Sequence, residues 1–332
     1  MIRRIAPLAV TVAALALPAC GGGDDADLTV YSGRNEELVG ELIENFERET
    51  DLQVDVRYGD SAELAATIAE EGDNSPADVF FSQDAGALGA VEDTLSSLPR
   101  PVLDAVPDRF GDPRGRWAGV SGRSRVIAYS TDKFEESEVP DSVFDLTGKR
   151  WRGRVGIPPP NASFQAFVSA MRLDVGEDRT REWLEGMREN DAQLYDNNIQ
   201  TVEAIGRGEI DVGLVNHYYL YELRREDPDL AVANHFLRRG DPGSLVNAAG
   251  VGILKTADEP DNAERFARFL VSRTAQRYFS EKTFEYPLIE GVQPPGGLPR
   301  LEELVGPRVE LGRLGNQLRS TLRLLDEVGF TT

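Results

Sequence analysis

From Leu28 onward the apolar residues alternate between two spacings. Leu28–Tyr31 is a short apolar run broken by Ser32-Gly33. Over 35–50, Leu38, Leu42, Ile43 and Phe46 then recur on one helical face. Val54 and Val56 alternate within 53–58 as a half-buried strand would. Ser61 is placed to cap a helix that turns Leu64, Ala65 and Ile68 inward. Residues 78–82 (DVFFS) form a third strand, and 83–95 a helix directed inward through Leu88, Val91 and Leu95. Strand and helix thus alternate three times, the rhythm of an open, largely parallel sheet, before a Pro- and Gly-rich loop over 99–119.

The same rhythm returns further along. Residues 126–130 and 155–157 are predicted strands, and the second runs into Pro158-Pro159-Pro160, which cannot continue any element. Asn161 or Ser163 then opens a helix burying Phe164, Phe167, Val168 and Met171. Helical faces follow at 180–187 and 201–207, and a strand at 210–215. A Gly-rich strand at 248–254, a helix at 260–272 and a Leu-rich amphipathic helix through Leu311, Leu314, Leu318, Leu322 and Leu325 complete the chain. The pattern predicts an α/β protein of two similar units.

The first twenty residues follow another logic. Arg3 and Arg4 precede an almost wholly apolar run over 5–17, then Leu17-Pro18-Ala19-Cys20 and the polar stretch GGGDDAD. This predicts an export signal over 1–19 and a flexible tether over 20–27. The Leu-x-Ala-Cys ending resembles a bacterial lipobox, which implies lipid attachment at Cys20 and a mature protein held outside the cytoplasm on the cell membrane. Because Cys20 is the only cysteine of 332 residues, an intrachain disulfide and a Cys-based zinc site are both excluded. With 57 acidic against 36 basic residues and a net charge of −21, the chain is expected to repel nucleic acid. Gly-x-Gly-x-x-Gly, Walker-type and Gly-x-Ser-x-Gly motifs are absent, and only two histidines are present, so a binding role is expected rather than an enzymatic one.

The densest chemistry is Asn216-His217-Tyr218-Tyr219-Leu220-Tyr221, directly after a predicted strand, where α/β folds place ligands. Phenolate oxygens suit a hard cation such as ferric iron. The same rings would also serve to pack a helix on the sheet. Asn161, Ala162 and Ser163 offer a hydroxyl and backbone N–H groups at a helix start, and Asn197-Asn198 has similar chemistry; capping and anion binding are both open there. Arg123 and Arg125 would face an anionic ligand or pair with surface acids.

Five stretches carry a wider likeness: 30–38 (VYSGRNEEL), 70–86 (EEGDNSPADVFFSQDAG), 121–130 (SGRSRVIAYS), 207–224 (RGEIDVGLVNHYYLYELR) and 248–254 (AAGVGIL). Through them the sequence resembles the bacterial ferric-iron-binding solute-binding proteins of ABC importers. The resemblance implies a two-lobe type II periplasmic-binding-protein fold with the ligand in the cleft, lobe 1 comprising 28–123 plus 249–301 and lobe 2 comprising 124–248 plus 302–332. It implies a monomer that closes by hinge motion and hands its ligand to an ABC permease driven by a separate ATPase. It makes Tyr218 and Tyr219 iron ligands, and Asn161, Ala162, Ser163, Asn198 and Asn216 the seat of a synergistic anion: carbonate, phosphate or a citrate-like chelator. Two positions depart from the pattern. Many members have a histidine where Asn35 stands and a glutamate where Gln83 stands; both are then opposite-lobe contacts of weaker donor strength. Phe164 lies close to where another branch supplies a further tyrosine. A non-metal anion such as a phosphonate or carboxylate is the alternative ligand, with the Asn35 and Gln83 amides donating to it.

Overall fold

A computed structural model describes residues 26–330, so the leader and Cys20 lie outside the described residues. Its strands are β1 (Leu28–Ser32), β2 (Val54–Tyr58), β3 (Val79–Ser82), β4 (Trp117–Ser130), β5 (Val155–Ile157), β6 (Gln193–Leu194), β7 (Val212–Asn216), β8 (Val232–His235), β9 (Val246–Ile253) and β10 (Tyr286–Pro287). They join in the order β2-β1-β3-β9-β4-β7-β5-β6, with β8 and β10 also paired to β4. Parallel pairing of β1 with β2 and β3, and of β5 with β6 and β7, places crossover helices on the sheet faces. That explains why β3 reads as a continuous apolar run and is buried throughout.

β4 organises the molecule. Trp117–Ser124 pairs antiparallel with β9, whereas Arg125–Ser130 pairs with β7 or β8, so one strand passes from one half of the sheet into the other. All fourteen of its residues are buried, Arg123 and Arg125 included. Only its second half was legible as a strand: Gly119, Ser121, Gly122 and Ser124 break the apolar alternation, and pairing to β9 and β10 on either side fixes them instead.

Other departures are local. Asp60, not Ser61, caps the helix Ser61–Glu71, accepting from the Ala62 and Glu63 N–H groups. The Ser61 hydroxyl accepts from the Gln83 N–H instead. The helix expected over 83–95 is confined to Ala85–Ala90, followed by a 3-10 turn at Glu92–Thr94. The helix expected over 260–272 ends at Leu270, and a further helix, Arg273–Glu281, follows it.

The last helix, Arg313–Val328, packs against both Ala85–Ala90 and the helix Ala162–Val175. Glycine makes the first contact: a Cβ on Gly315 would lie 2.0 Å from the Gly86 carbonyl oxygen, and one on Gly89 2.1 Å from that of Gly312. This helix therefore touches both halves of the molecule. Among the described residues no helix is long and apolar enough to cross a membrane.

Candidate functional site

β7 ends at Asn216, and the helix Tyr218–Glu226 begins two residues later. His217 fixes that turn. Its ring is fully buried; Nδ1 accepts from the Ser124 N–H at 3.2 Å, and Nε2–H donates to the Phe284 carbonyl at 2.8 Å. Burial pushes the imidazole down to about 4, so it is neutral, and with both ring nitrogens hydrogen-bonded it serves to hold the turn. The Asn234 amide donates to the His217 carbonyl at 2.7 Å, which closes the turn from below.

Held this way, Tyr218 and Tyr219 converge. Their ring centroids are 4.2 Å apart with the planes inclined by 30°. Tyr218 is fully buried and Tyr219 partly exposed. Burial raises the Tyr218 phenol well above its ordinary value, and Tyr219 beside it adds to the rise, while Arg123 and Arg34 oppose it. Burial raises Tyr219 too, opposed by the Tyr218 hydroxyl and then by Arg123. Without a cation both phenols are therefore neutral at physiological pH.

The polar residues singled out in the sequence meet beside the pair. Asn161 caps the helix Ala162–Val175, its Oδ1 accepting from the Ser163 N–H at 3.0 Å and the Ser163 hydroxyl at 2.6 Å. The Asn198 amide donates to the same Oδ1 at 3.0 Å, and Asn198 Oδ1 accepts from the Asn216 N–H at 3.2 Å. Arg125 completes the chain, donating to Ser163 Oγ at 3.0 Å and to the Leu214 carbonyl at 3.1 Å. Its guanidinium lies 5.2 Å from the Phe167 ring centroid and 5.8 Å from that of Phe164. Burial pushes it down to about 9, and the tyrosine pair opposes that shift, so it remains a cation at neutral pH. Asn161, Ser163, Asn198, Asn216 and Arg125 thus form one network, with Ala162 as the first residue of the helix that Asn161 caps. Capping and anion binding are compatible here, since the cap consumes Asn161 Oδ1 and leaves the guanidinium without a carboxylate.

Two residues at this centre have no signature in the sequence. Arg34 is 1 % exposed and forms a bidentate pair with Glu285, at 2.9 and 2.6 Å. Thr283 donates to the same carboxylate at 2.8 Å, and Arg123 Nε lies 3.6 Å from it. Burial alone would raise Glu285, but Arg34 and Arg123 more than offset this and hold it below the usual range. One carboxylate thus faces two buried guanidiniums, and Arg34 Nε together with Arg123 Nε and Nη2 has no hydrogen-bond acceptor. Arg34 and Glu285 are 251 positions apart in the sequence, so only the fold could join them.

Asn35 and Gln83 lie outside this hydrogen-bond network, on the segments that follow β1 and β3. Asn35 is exposed at the start of the helix Glu36–Thr50 and its side chain caps nothing; Gln83 is half-buried. They line one cavity with Arg34, Tyr58 and Asp60, a cavity that excludes both tyrosines. Among the described residues no group of three or more His, Cys, Asp or Glu side chains is placed to hold a metal ion.

Residues 73–304 match the family of bacterial extracellular solute-binding proteins. The chain is 33% identical over 312 residues to the major ferric iron-binding protein of Neisseria meningitidis serogroup B, covering 92% of this chain and 93% of that one. It is 31% identical to iron uptake protein A1 of Synechocystis, covering 97% and 95%. Among solved structures, iron-bound HitA from Pseudomonas aeruginosa superposes with a TM-score of 0.85 at 32% identity, covering 91% of this chain and 99% of that one. The Trichodesmium IdiA/FutA protein in complex with iron and citrate gives 0.80 at 30%, covering 92% and 99%. The fold is thus the two-lobe type II arrangement of these binding proteins. A family match across most of the chain, joined to relatives above 30% identity over nearly its whole length, makes this protein a member of the bacterial extracellular solute-binding proteins.

Proposed function

We propose that this protein captures ferric iron, together with a small anion or chelator, between its lobes and delivers it to the permease of an ABC importer. The observation that carries this reading is the Tyr218–Tyr219 pair, two converging phenols beside a buried Arg125 that has no carboxylate partner. A trivalent cation would draw both phenols into their ionised form and release two protons. Two phenolates leave about four positions of an octahedral ferric ion to be filled. Arg125 and the Asn161–Ser163–Asn198 network would hold a carbonate, phosphate or citrate-like anion that fills some of them. Relatives that carry iron, in one case with citrate, support the choice of ligand. Their names describe binding and uptake rather than turnover.

Loading with ferric ion should produce a visible phenolate-to-iron charge-transfer band, and the double variant Tyr218→Phe/Tyr219→Phe should lose it while melting like the parent. Undiminished iron affinity in that variant would refute the assignment. A second reading is a non-metal carboxylate or phosphonate, favoured by Arg125 and by the neutral Asn35 and Gln83. It requires tight anion binding by iron-free protein, measurable by calorimetry.

Lobe 1 on this reading comprises 28–123 plus 249–301 and lobe 2 comprises 124–248 plus 302–332. The change of partner along β4 between Ser124 and Arg125 supports a hinge there. Acylation of Cys20 would keep the mature protein at the membrane; Cys20→Ser should release it to the soluble fraction, and retention of that variant in washed membranes would argue against the anchor.

A further inference from the structure

Glu222 is half-buried, and one of its carboxylate oxygens lies unpartnered in a place where that needs a reason. Its Oε2 is buried and accepts no hydrogen bond. The cations near it are occupied elsewhere. Arg225 donates to the Lys282 carbonyl and lies 4.7 Å from the Phe284 ring centroid, while Arg34 is held by Glu285. Leaving a buried carboxylate oxygen unpaired is unfavourable, because it loses its hydration and gains no donor in exchange. Such a residue would not be kept there for stability.

Its position on the helix Tyr218–Glu226 supplies the reason. Glu222 lies four residues after Tyr218 and three after Tyr219, and both spacings put side chains on one helical face. Side chains on an α-helix also lean toward its N-terminus, over the preceding turn. That lean carries the Glu222 carboxylate back toward the start of the helix, where its charge acts on the Tyr219 phenol.

We infer that Glu222 is a third metal-ligating group, an oxygen donor supplied from the same helix as Tyr218 and Tyr219. This rests on the tyrosine reading above and deepens it. A hard trivalent cation prefers anionic oxygen, and Asn35 and Gln83 offer only neutral amides from the opposite wall. A carboxylate on the tyrosine helix adds the missing negative charge without requiring lobe closure. Three donors of one turn would then hold the ion on one lobe before the other arrives.

The test uses the full protein, loaded with ferric citrate, and the variants Glu222→Gln and Glu222→Asp. Three quantities are read: the tyrosinate charge-transfer band, the rate of iron release to a competing chelator, and the melting temperature of the iron-free form. Residues that merely support metal ligands change affinity by about 10–100-fold, so loss of a direct ligand should accelerate release by about 100-fold or more. E222Q should do this with its band shifted but present, and its iron-free form should melt no lower than the parent, because an unpaired carboxylate has gone. E222D should restore part of the slow release. Equal release rates in parent and E222Q would overturn the inference, as would faster release accompanied by an equal fall in iron-free stability, the mark of a packing role. If the parent itself gives no tyrosinate band, the tyrosine reading fails and takes this inference with it, an outcome distinguishable from the other two.

Discussion

The two walls of the cleft are built on opposite plans. On one, Tyr218, Tyr219, Asn161, Ser163, Asn198, Asn216 and Arg125 are buried or half-buried and tied together by contacts within the protein. On the other, Asn35 is exposed and free, and Gln83 has only its backbone N–H fixed, by Ser61. Pre-organised donors lose little entropy on binding, whereas free side chains must be ordered first. If the proposed site is right, the difference concentrates recognition on the tyrosine side and leaves the Asn35–Gln83 side mostly to close over the ligand and exclude water.

The sharpest way to break that comparison is pH. Burial holds both phenols above their ordinary values, so each must surrender a proton when iron binds. Loss of two protons per ion makes apparent affinity fall about a hundredfold for each unit that pH drops, throughout the range below the phenol values. Proton release measured in weakly buffered solution should give two per iron. A value of zero would mean that the tyrosine wall does not ionise and that the asymmetry between the walls has nothing to do with the metal.

A second test separates charge that binds from charge that supports. Glu285 sits between Arg34 and Arg123, fully buried, and both arginines hold its carboxyl below the usual range. Because its folded value lies below its unfolded one, its contribution to stability is present above the ordinary glutamate range and is lost as pH falls through the folded value. Glu285→Gln leaves two buried guanidiniums without a counter-charge and should lower stability by about 3–5 kcal/mol at neutral pH. The parent–variant difference should shrink in acid, and the charge-transfer band of surviving folded protein should persist. Abolition of the band with stability intact would move Glu285 from scaffold to ligand shell.

The sequence revealed the tyrosine wall better than the rest because its signals are local. Tyr218 and Tyr219 are adjacent, Asn161 to Ser163 are contiguous, and both groups follow strands at positions where α/β folds bind ligands. Arg34 and Glu285 are joined only by β1 and β10 both reaching the core of the same sheet, and no window of sequence contains that information. β4 was half-read for a related reason: its first eight residues are held by pairing to distant β9, and small or polar residues suffice there. The reading of 83–95 as one helix overlooked Gly86 and Gly89, whose missing side chains admit the C-terminal helix, a contact with no local trace.

The smallest effect is expected where the family pattern would place strong donors. Asn35 is exposed, caps nothing and shares its cavity with Tyr58 and Asp60 rather than with the tyrosine pair. Gln83 is half-buried and hydrogen-bonded through its backbone N–H, to Ser61. A neutral amide that reaches the ligand only on closure offers a net hydrogen bond of about 0.5–1.5 kcal/mol, before the cost of ordering the side chain is subtracted. Asn35→Ala and Gln83→Ala should therefore weaken iron binding by roughly threefold or less each, read as release rate to a competing chelator. Gln83→Glu sharpens the same point from the other side. If this wall meets the metal at all, an added carboxylate should slow release, and if release is unchanged the wall acts as a lid. A tenfold loss in either alanine variant would instead show that both walls grip the ligand, and the single-lobe account of recognition would have to be abandoned.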